Sequence, residues 1–374
     1  MIYFDHAAAE PVPAEILNCC GNFLKKYSGN IESAHAQGYA LRKELEQLDQ
    51  NLFDALLPAA APLNRAVFYG NNAAELFNAA GYLLGGEQYI AWSSDLDHPV
   101  MKKMLERSFG SVRKFALDKY GVIRDFPAAD PKVRLVVIPW VQSEIGVRQD
   151  VASLIRDLRK KVPDAVILLD AAQASFYRYP ADAPLPDLMF VSGSKYGVPG
   201  GAALLACGTN CEMLKKGFEK LRKEEYLTGR NNLFQSALMV AAVTANASLR
   251  TENLARTEAI SGFLRRKLDN QLLPNGKTIR LTVPEEYSAG NILHLLLPGY
   301  QSGVLVHMFS AANIMVAAGS ACQSETKEPS AVLTALGLSK NDAFSGLRLS
   351  FAGSNTLAEA EEFLRTLEMI LKNY

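Results

Sequence analysis

Short apolar runs alternate with helical patterns from about residue 65 to residue 207. The most continuous runs are Leu135 to Trp140, Ala165 to Leu169 and Leu188 to Val191, and each is followed by polar or small residues. Runs without polar alternation are typical of strands that are buried on both faces of a parallel sheet. The alternation therefore predicts a predominantly parallel α/β sheet, with its chemistry at the carboxyl ends of the strands.

The chain on either side of this region is more helical. Ala14 to Leu57 and Lys215 to Ala259 have mostly helical patterns, and the last third adds strands at Thr278 to Val283 and Ile292 to Leu297. Strands mixed with helices in this order indicate a smaller α+β lobe. We expect two domains: a large cofactor-binding domain over 15–251, and a small C-terminal domain over 252–374 packed with 1–14.

Composition excludes several classes of protein. The 374 residues include 39 basic and 39 acidic side chains and are 49% hydrophobic, which is ordinary for a soluble enzyme and gives no basic surface for nucleic acid. We expect neither a signal peptide nor a membrane span, because no apolar run approaches roughly 18 residues. The five cysteines are irregularly spaced, which favours reduced thiols in a cytoplasm and no metal site.

Lys195 lies just past a buried strand, in the sequence Ser192-Gly193-Ser194-Lys195. Glycines follow it before a second apolar run, Ala202 to Ala206, so the backbone has to turn tightly there. A lysine among hydroxyls and glycines suggests a Schiff-base lysine beside a phosphate-binding turn, as a pyridoxal phosphate enzyme requires. A plain loop between two strands is the alternative.

Asp170 ends the buried strand that begins at Ala165. A carboxylate in this position is costly unless it is paired, and the protonated ring nitrogen of pyridoxal phosphate is a suitable partner. Gln173 is placed to reach the ring hydroxyl. The alternative is that Asp170 caps a helix that follows it.

Two further turns carry candidate side chains. Asn72, Ala73 and Ala74 follow an apolar strand and open a helix, and the backbone N–H groups of such a turn can cradle a phosphate. His98, in the sequence Asp97-His98-Pro99, is a second candidate. An ordinary strand-to-helix connection and a structural histidine are the respective alternatives.

Eight motifs, in order along nearly the whole chain, resemble those of the cysteine desulfurases, within the class V aminotransferase group of fold-type I pyridoxal phosphate enzymes. They are YFDHAAAEPVP, GNIESAHAQGYA, DHPVMKKMLE, QSEIGVRQDV, LLDAAQA, VSGSKYGVPGGAALL, VAAGSACQSETKEPSAVLTALGL and SGLRLSFAGSNT. The resemblance implies a mostly parallel seven-stranded sheet flanked by helices in the large domain, and a smaller α+β domain.

The resemblance also implies roles for matching positions. Lys195 corresponds to the Schiff-base lysine that moves the α-proton, and His98 to the histidine that stacks on the ring. Asp170 and Gln173 correspond to the contacts of the ring nitrogen and the ring hydroxyl, and Ser192 lies in the phosphate-binding turn.

Two positions near the end of the chain complete this set. Arg348 matches the arginine that binds the substrate carboxylate, a task suited to a guanidinium. Cys322 matches the nucleophile that takes sulfur from the substrate, which leaves a persulfide on the enzyme and alanine as product.

The chain departs from the family pattern at four places. Ser194 replaces a phosphate-site histidine, Ala74 replaces a threonine, and Arg230 replaces a threonine that in the family reaches the neighbouring subunit's phosphate. We expect Arg230 to offset the charge and hydroxyl lost at the other two positions. Gln142 and Ser143 replace a pair of asparagines near the substrate, so the preferred amino acid is open at this point.

The sequence therefore predicts a homodimeric, cytoplasmic enzyme that uses pyridoxal 5'-phosphate to remove sulfur from L-cysteine or a related amino acid. Iron–sulfur cluster assembly and a sulfur-acceptor protein are the roles and partner implied by the resemblance. Another class V enzyme, an aminotransferase or a cysteine or selenocysteine lyase, would keep Lys195, Asp170 and Arg348 without needing Cys322. A non-catalytic scaffold is the third alternative.

Overall fold

The computed structural model describes residues 1–60, 64–223, 232–319 and 328–374. Its strands are β1 (Ile2–Tyr3), β2 (Ala66–Gly70), β3 (Gly86–Ser93), β4 (Phe109–Lys114), β5 (Ala116–Leu117), β6 (Ile123–Asp125), β7 (Val133–Pro139), β8 (Val166–Asp170), β9 (Leu188–Ser192), β10 (Ala202–Ala206), β11 (Arg280–Leu281), β12 (Ile292–Leu296), β13 (Ile314–Met315) and β14 (Gly346–Ser350). Its helices are α1 (Ala14–Lys26), α2 (Ala36–Leu56), α3 (Ala73–Leu84), α4 (Pro99–Ser108), α5 (Val151–Lys161), α6 (Cys211–Lys223), α7 (Leu233–Leu268), α8 (Ser302–Ala311), α9 (Ala331–Ala335), α10 (Lys340–Ala343) and α11 (Leu357–Lys372).

The largest sheet has seven strands in the order β2-β10-β9-β8-β7-β3-β4. Its pairs are parallel except for the two made by β10, which runs against both neighbours. The prediction of a mostly parallel seven-stranded sheet is confirmed.

Helices cover both faces of this sheet. Along β8, Ile167 and Leu169 pack into a core with α2, α5 and the first half of α7. Val166 and Leu168 pack into a second core with α3, α4 and α6. Because consecutive side chains of a strand point to opposite faces, an apolar run without alternation is what two covered faces require.

A second, antiparallel sheet is formed by β11, β12 and β14. Its core includes Ile260 and Leu264 of α7 and Phe363 of α11. The expected strand over 278–283 is reduced to the two residues of β11. The boundary proposed at 251/252 lies inside α7, which is unbroken from 233 to 268, and the division into two domains stays a prediction.

The N-terminal segment connects the two sheets. β1 pairs with β13, and the backbone oxygen of Phe4 accepts a hydrogen bond from Ser350 N in β14. Farther along, Glu10 N donates to the backbone oxygen of Ser194 beside the large sheet. Over the ranges described above, no helix has both the length and the apolar character needed to cross a bilayer.

Gly197 closes the turn after β9 with a φ of 77°, and a Cβ there would lie 2.6 Å from the backbone oxygen of Pro11 and 2.4 Å from Pro13 Cδ. We expect Gly197→Ala to lower the free energy of unfolding by about 3 kcal/mol, from the left-handed backbone and the collision together. Urea unfolding would measure this.

Gly276 is the matched control, because it has the same φ of 77° and nothing within 4 Å of the added Cβ. Gly276→Ala should cost only the backbone term, about 1 kcal/mol. Equal losses in the two variants would show that the contact with the N-terminal segment is not tight.

Candidate active site

A cavity of about 190 Å³ opens where three neighbouring parallel strands end. Pro139, Asp170 and Ser192 are the last residues of β7, β8 and β9, and all three line it. The remaining lining residues are Ala7, Ala8, Ala73, Phe77, Leu96, His98, Val141, Gln142, Ser143, Ala172, Gln173, Phe190, Ser194, Lys195 and Arg348. Most of the side chains selected from the sequence are thus brought to one place.

Lys195 lies in the 3-10 turn Gly193–Tyr196, directly after β9. Its Nζ donates hydrogen bonds to the backbone oxygens of Ala7 (2.7 Å) and Ala8 (2.6 Å). The turn is held at its base by Gly193 N, which donates to Gly201 O. The backbone of the N-terminal segment therefore holds the Lys195 amine at the cavity.

Asp170 faces the same cavity, and its Oδ1 accepts a hydrogen bond from Ala172 N at 3.0 Å. Burial raises the pKa of this carboxyl to about 6, although the Ala172 N–H and the Lys195 charge act in the opposite direction. The alternative that Asp170 caps a helix is wrong, because residues 171–187 form turns and irregular backbone. Gln173 Nε2 donates to Ala7 O at 2.7 Å.

The predicted phosphate cradle is only partly at the cavity. The hydroxyls of Ser192 and Ser194 lie 3.0 Å apart and both residues line it, as does Ala73 in the first turn of α3. Asn72 is exposed, and its side chain caps α3 by accepting from Glu75 N. Neither Asn72 nor Ala74 is among the lining residues, and their role in cofactor binding stays a prediction.

His98 is the N-cap of α4, and its Nδ1 accepts a hydrogen bond from Val100 N at 3.3 Å. Burial lowers the pKa of this imidazole, and the neighbouring Lys195 charge lowers it further. A ring that accepts at Nδ1 and resists protonation is a neutral base beside the lysine.

Arg348, on β14, is the second cation of the cavity, and its side chain is 1% exposed. Its Nη1 donates to the backbone oxygen of Ser143 at 2.7 Å, and its Nη2 donates to Asp5 Oδ1 at 2.6 Å. The side chain of Gln142 is turned into its own loop, where Oε1 accepts from Glu144 N and Ile145 N. Of the two residues that replace the family's asparagines, Ser143 therefore binds Arg348 through its backbone oxygen, and the side-chain oxygen of Gln142 is already hydrogen-bonded within its own loop.

Three acids near the cavity received no role from the sequence. Asp5 pairs with Arg348, and the buried Glu144 accepts a hydrogen bond from the Ser330 hydroxyl. Burial raises the pKa of Glu144 and raises that of Asp97 to about 7. All three belong to motifs quoted above, YFDHAAAEPVP, QSEIGVRQDV and DHPVMKKMLE. Membership of these motifs was the sequence signal that could have identified them as site residues.

Two predicted site residues lie outside the described part of the chain. Cys322 falls within 320–327 and Arg230 within 224–231. Among the residues that the structure does describe, no cluster of histidine, cysteine and acidic side chains is suited to hold a metal ion.

Comparison with known proteins gives consistent relatives over the whole length. A family model described as "Aminotransferase class-V" matches residues 2–363. A NifS/IcsS protein homolog from Lactobacillus delbrueckii subsp. bulgaricus is 26% identical, covering 100% of this chain and 98% of the relative. Cysteine desulfurase IscS 1 from Archaeoglobus fulgidus is 23% identical, covering 100% and 97%. Among solved structures, a NifS-like protein aligns with a TM-score of 0.80 at 20% identity over 100% of both chains, which supports the fold.

Asp97 makes the stability of this region depend on pH. Its Oδ2 accepts from Ser94 N, and its buried Oδ1 has no hydrogen-bond partner among the described residues. Because burial raises the pKa from 3.8 to about 7, the protonated carboxyl stabilises the fold at low pH, and this contribution is lost as pH rises through that window. We therefore compare the free energy of unfolding of Asp97→Asn with that of the wild type by urea unfolding. The difference, variant minus wild type, should be about 2 kcal/mol larger at pH 8 than at pH 5.

Asp118→Asn is the control for this measurement. The backbone N–H groups of Val122 and Tyr120 and the Arg124 guanidinium outweigh desolvation, so the pKa of Asp118 is lowered and its titration window lies in more acidic solution. The difference between this variant and the wild type should stay constant from pH 5 to pH 8. A constant difference for Asp97→Asn as well would contradict the assignment.

Proposed function

We propose that this chain, which belongs to the class V aminotransferase family, is a pyridoxal-phosphate-dependent cysteine desulfurase that converts L-cysteine to L-alanine. The observation that carries the proposal is the cavity itself, in which the Lys195 amine and the Asp170 carboxyl, from adjacent strands of the large sheet, meet the buried guanidinium of Arg348 from β14. The cysteine desulfurases among its full-length relatives support the same activity.

The donor set fits pyridoxal 5'-phosphate. Lys195 supplies an amine at the tip of a rigid turn, and Asp170 supplies a carboxyl whose desolvated charge needs a cationic partner such as a ring nitrogen. The hydroxyls of Ser192 and Ser194 lie together near the first turn of α3, where backbone N–H groups and the helix dipole favour a phosphate. Gln173 is within the same lining for the ring hydroxyl.

Each residue of the cavity has a separate role in the proposed reaction. When bound, the cofactor supplies an electron sink for the carbon that loses its proton. Arg348 Nη1 and Nη2 hold the substrate carboxylate, and Lys195 Nζ takes the α-proton and later returns a proton to the product carbon. His98, a neutral imidazole beside Lys195, assists this proton transfer.

Cys322 receives the sulfur in this proposal. Its thiolate attacks the substrate sulfur, the bond from that sulfur to the substrate Cβ breaks, and a sulfur–sulfur bond forms on the enzyme. The product carbon gains a proton and leaves as part of alanine. Transfer of the bound sulfur onward requires an acceptor thiol, which a sulfur-acceptor protein of iron–sulfur cluster assembly would provide.

The proposed enzyme is a cytoplasmic homodimer. The irregular set of five cysteines favours a reducing compartment. Arg230 is the candidate for a contact with the phosphate of the neighbouring subunit, as the corresponding position has in the family.

Anaerobic incubation with L-cysteine and a reductant tests the activity. We expect sulfide and alanine in equal amounts from the wild type, and loss of both in Cys322→Ala with the visible absorption band of the bound cofactor retained. Cys20→Ala is the matched control, because that thiol is half-buried on α1 and does not line the cavity. It should leave both products unchanged.

Other outcomes assign the chain differently. Pyruvate and ammonia in place of alanine, or products indifferent to Cys322→Ala, would indicate a lyase or an aminotransferase. A protein that does not take up the cofactor at all would favour the scaffold alternative.

Cofactor affinity tests the departures at the phosphate site. We expect Arg230→Ala and Ser194→Ala each to weaken binding of pyridoxal 5'-phosphate about tenfold, since each removes a donor to a dianionic group. Equilibrium titration followed by absorbance measures the affinity. Arg256→Ala, whose guanidinium pairs with Glu252 on α7, is the control, and unchanged affinity in Arg230→Ala would remove the compensation idea.

A further inference from the structure

The guanidinium of Arg348 is bound by an acid from the opposite end of the chain. Asp5 Oδ1 lies 2.6 Å from Nη2, although the two residues are 343 positions apart. The arginine side chain is 1% exposed and the aspartate side chain 22% exposed, so water screens this ion pair little. The contact is fixed by the backbone around it, because Asp5 forms a bridge to Ser350 two residues beyond Arg348.

Part of the guanidinium remains available for a ligand. Of the five N–H donors of an arginine, one is used by Asp5 and one by the backbone oxygen of Ser143. Arg348 Nε is buried and has no partner among the described residues. Nη1 and Nη2 each keep one further N–H, and in the proposed function these bind one substrate carboxylate while Asp5 stays in place.

The described lining residues place few charged groups around Arg348. The cations among the described lining residues are Lys195 and Arg348, since the pKa of His98 is lowered. His294, directly opposite Arg348 on β12, is kept neutral by burial and by the arginine charge, which lower its pKa to about 3. Among the described residues, the buried Glu144 also faces the Arg348 charge, and Asp170 lines the same cavity.

We infer that Asp5 is a specificity-determining residue, which restricts the site to amino acids with one negative charge. Asp5 offsets part of the Arg348 charge, and the guanidinium binds one substrate carboxylate through its remaining N–H donors. A second anionic group on the substrate meets no further cation among the described lining residues, because the proposed function assigns Lys195 to the cofactor. The site then accepts an uncharged sulfur side chain, as in cysteine, and rejects an acidic one, as in cysteine sulfinate or aspartate. This inference rests on the proposed function, in which Arg348 binds the substrate carboxylate.

The test is ligand selectivity of the cofactor-loaded enzyme, which does not need turnover. The affinities of L-alanine and L-aspartate are measured from the shift of the cofactor absorbance, in the wild type and in Asp5→Asn. Asparagine keeps an oxygen for Arg348 and removes the charge, so the alanine-to-aspartate affinity ratio should fall about tenfold, mainly through tighter aspartate binding. The kcat/KM ratio of L-cysteine to L-cysteine sulfinate should move in the same direction.

Glu10→Gln is the matched control, because Glu10 is an acid of the same segment that pairs with His6 and not with Arg348. It should leave the ratio unchanged. An unchanged ratio in Asp5→Asn, or an equal loss of affinity for both ligands, would overturn the inference. If Asp5→Asn does not fold, the wild type still decides, because aspartate binding as tight as alanine binding would refute it.

Failure of the proposed function is a separate result. A wild type that yields no sulfide from L-cysteine would contradict the desulfurase activity. The alanine and aspartate affinities of that same protein would still report whether Asp5 sets the charge that the site accepts.

Discussion

Two cations lie within the cavity at the carboxyl edge of the large sheet, and a buried or partly buried charge needs a partner that water no longer supplies. The first eight residues of the chain provide those partners. Asp5 pairs with Arg348, and the backbone oxygens of Ala7 and Ala8 accept from Lys195. The segment contacts both sheets, through Phe4 O at β14 and Glu10 N at the turn after β9, and so reaches both cations. Its pairing with β13 and its hydrogen bond from β14 fix its path.

The parallel sheet supplies the other half of the site. Adjacent parallel strands end at the same edge, so Pro139, Asp170 and Ser192 meet although they are far apart in sequence. β10 runs in the opposite direction, and its start at Ala202 lies opposite the end of β9. The glycine-rich turn between these two strands is the short connection that an antiparallel pair allows, and it presents Lys195 at its tip.

The sequence predicted features that depend on local pattern. The buried strands, the start of α3 at Ala73 and the turn around Lys195 agree with the structure within a residue or two, because burial on two faces and turn chemistry are both local signals. The helix considered after Asp170 does not form. Pairings between distant segments were not accessible: Asp5 with Arg348, and Glu144 with Ser330, join residues whose neighbours along the chain give no hint of the partner.

The pKa values of two side chains of the cavity, Asp170 and His98, are shifted toward the neutral form. Desolvation is the largest cause of the shift in each case, raising the pKa of Asp170 and lowering that of His98. Both shifts favour the neutral form, so the cavity opposes isolated charge of either sign. A bound cation at Asp170 is tolerated because it pairs with the carboxyl, and a bound carboxylate at Arg348 is tolerated because the guanidinium has N–H donors beyond those that Asp5 and Ser143 use. The same desolvation therefore favours binding of a zwitterionic amino acid and disfavours binding of an additional anion.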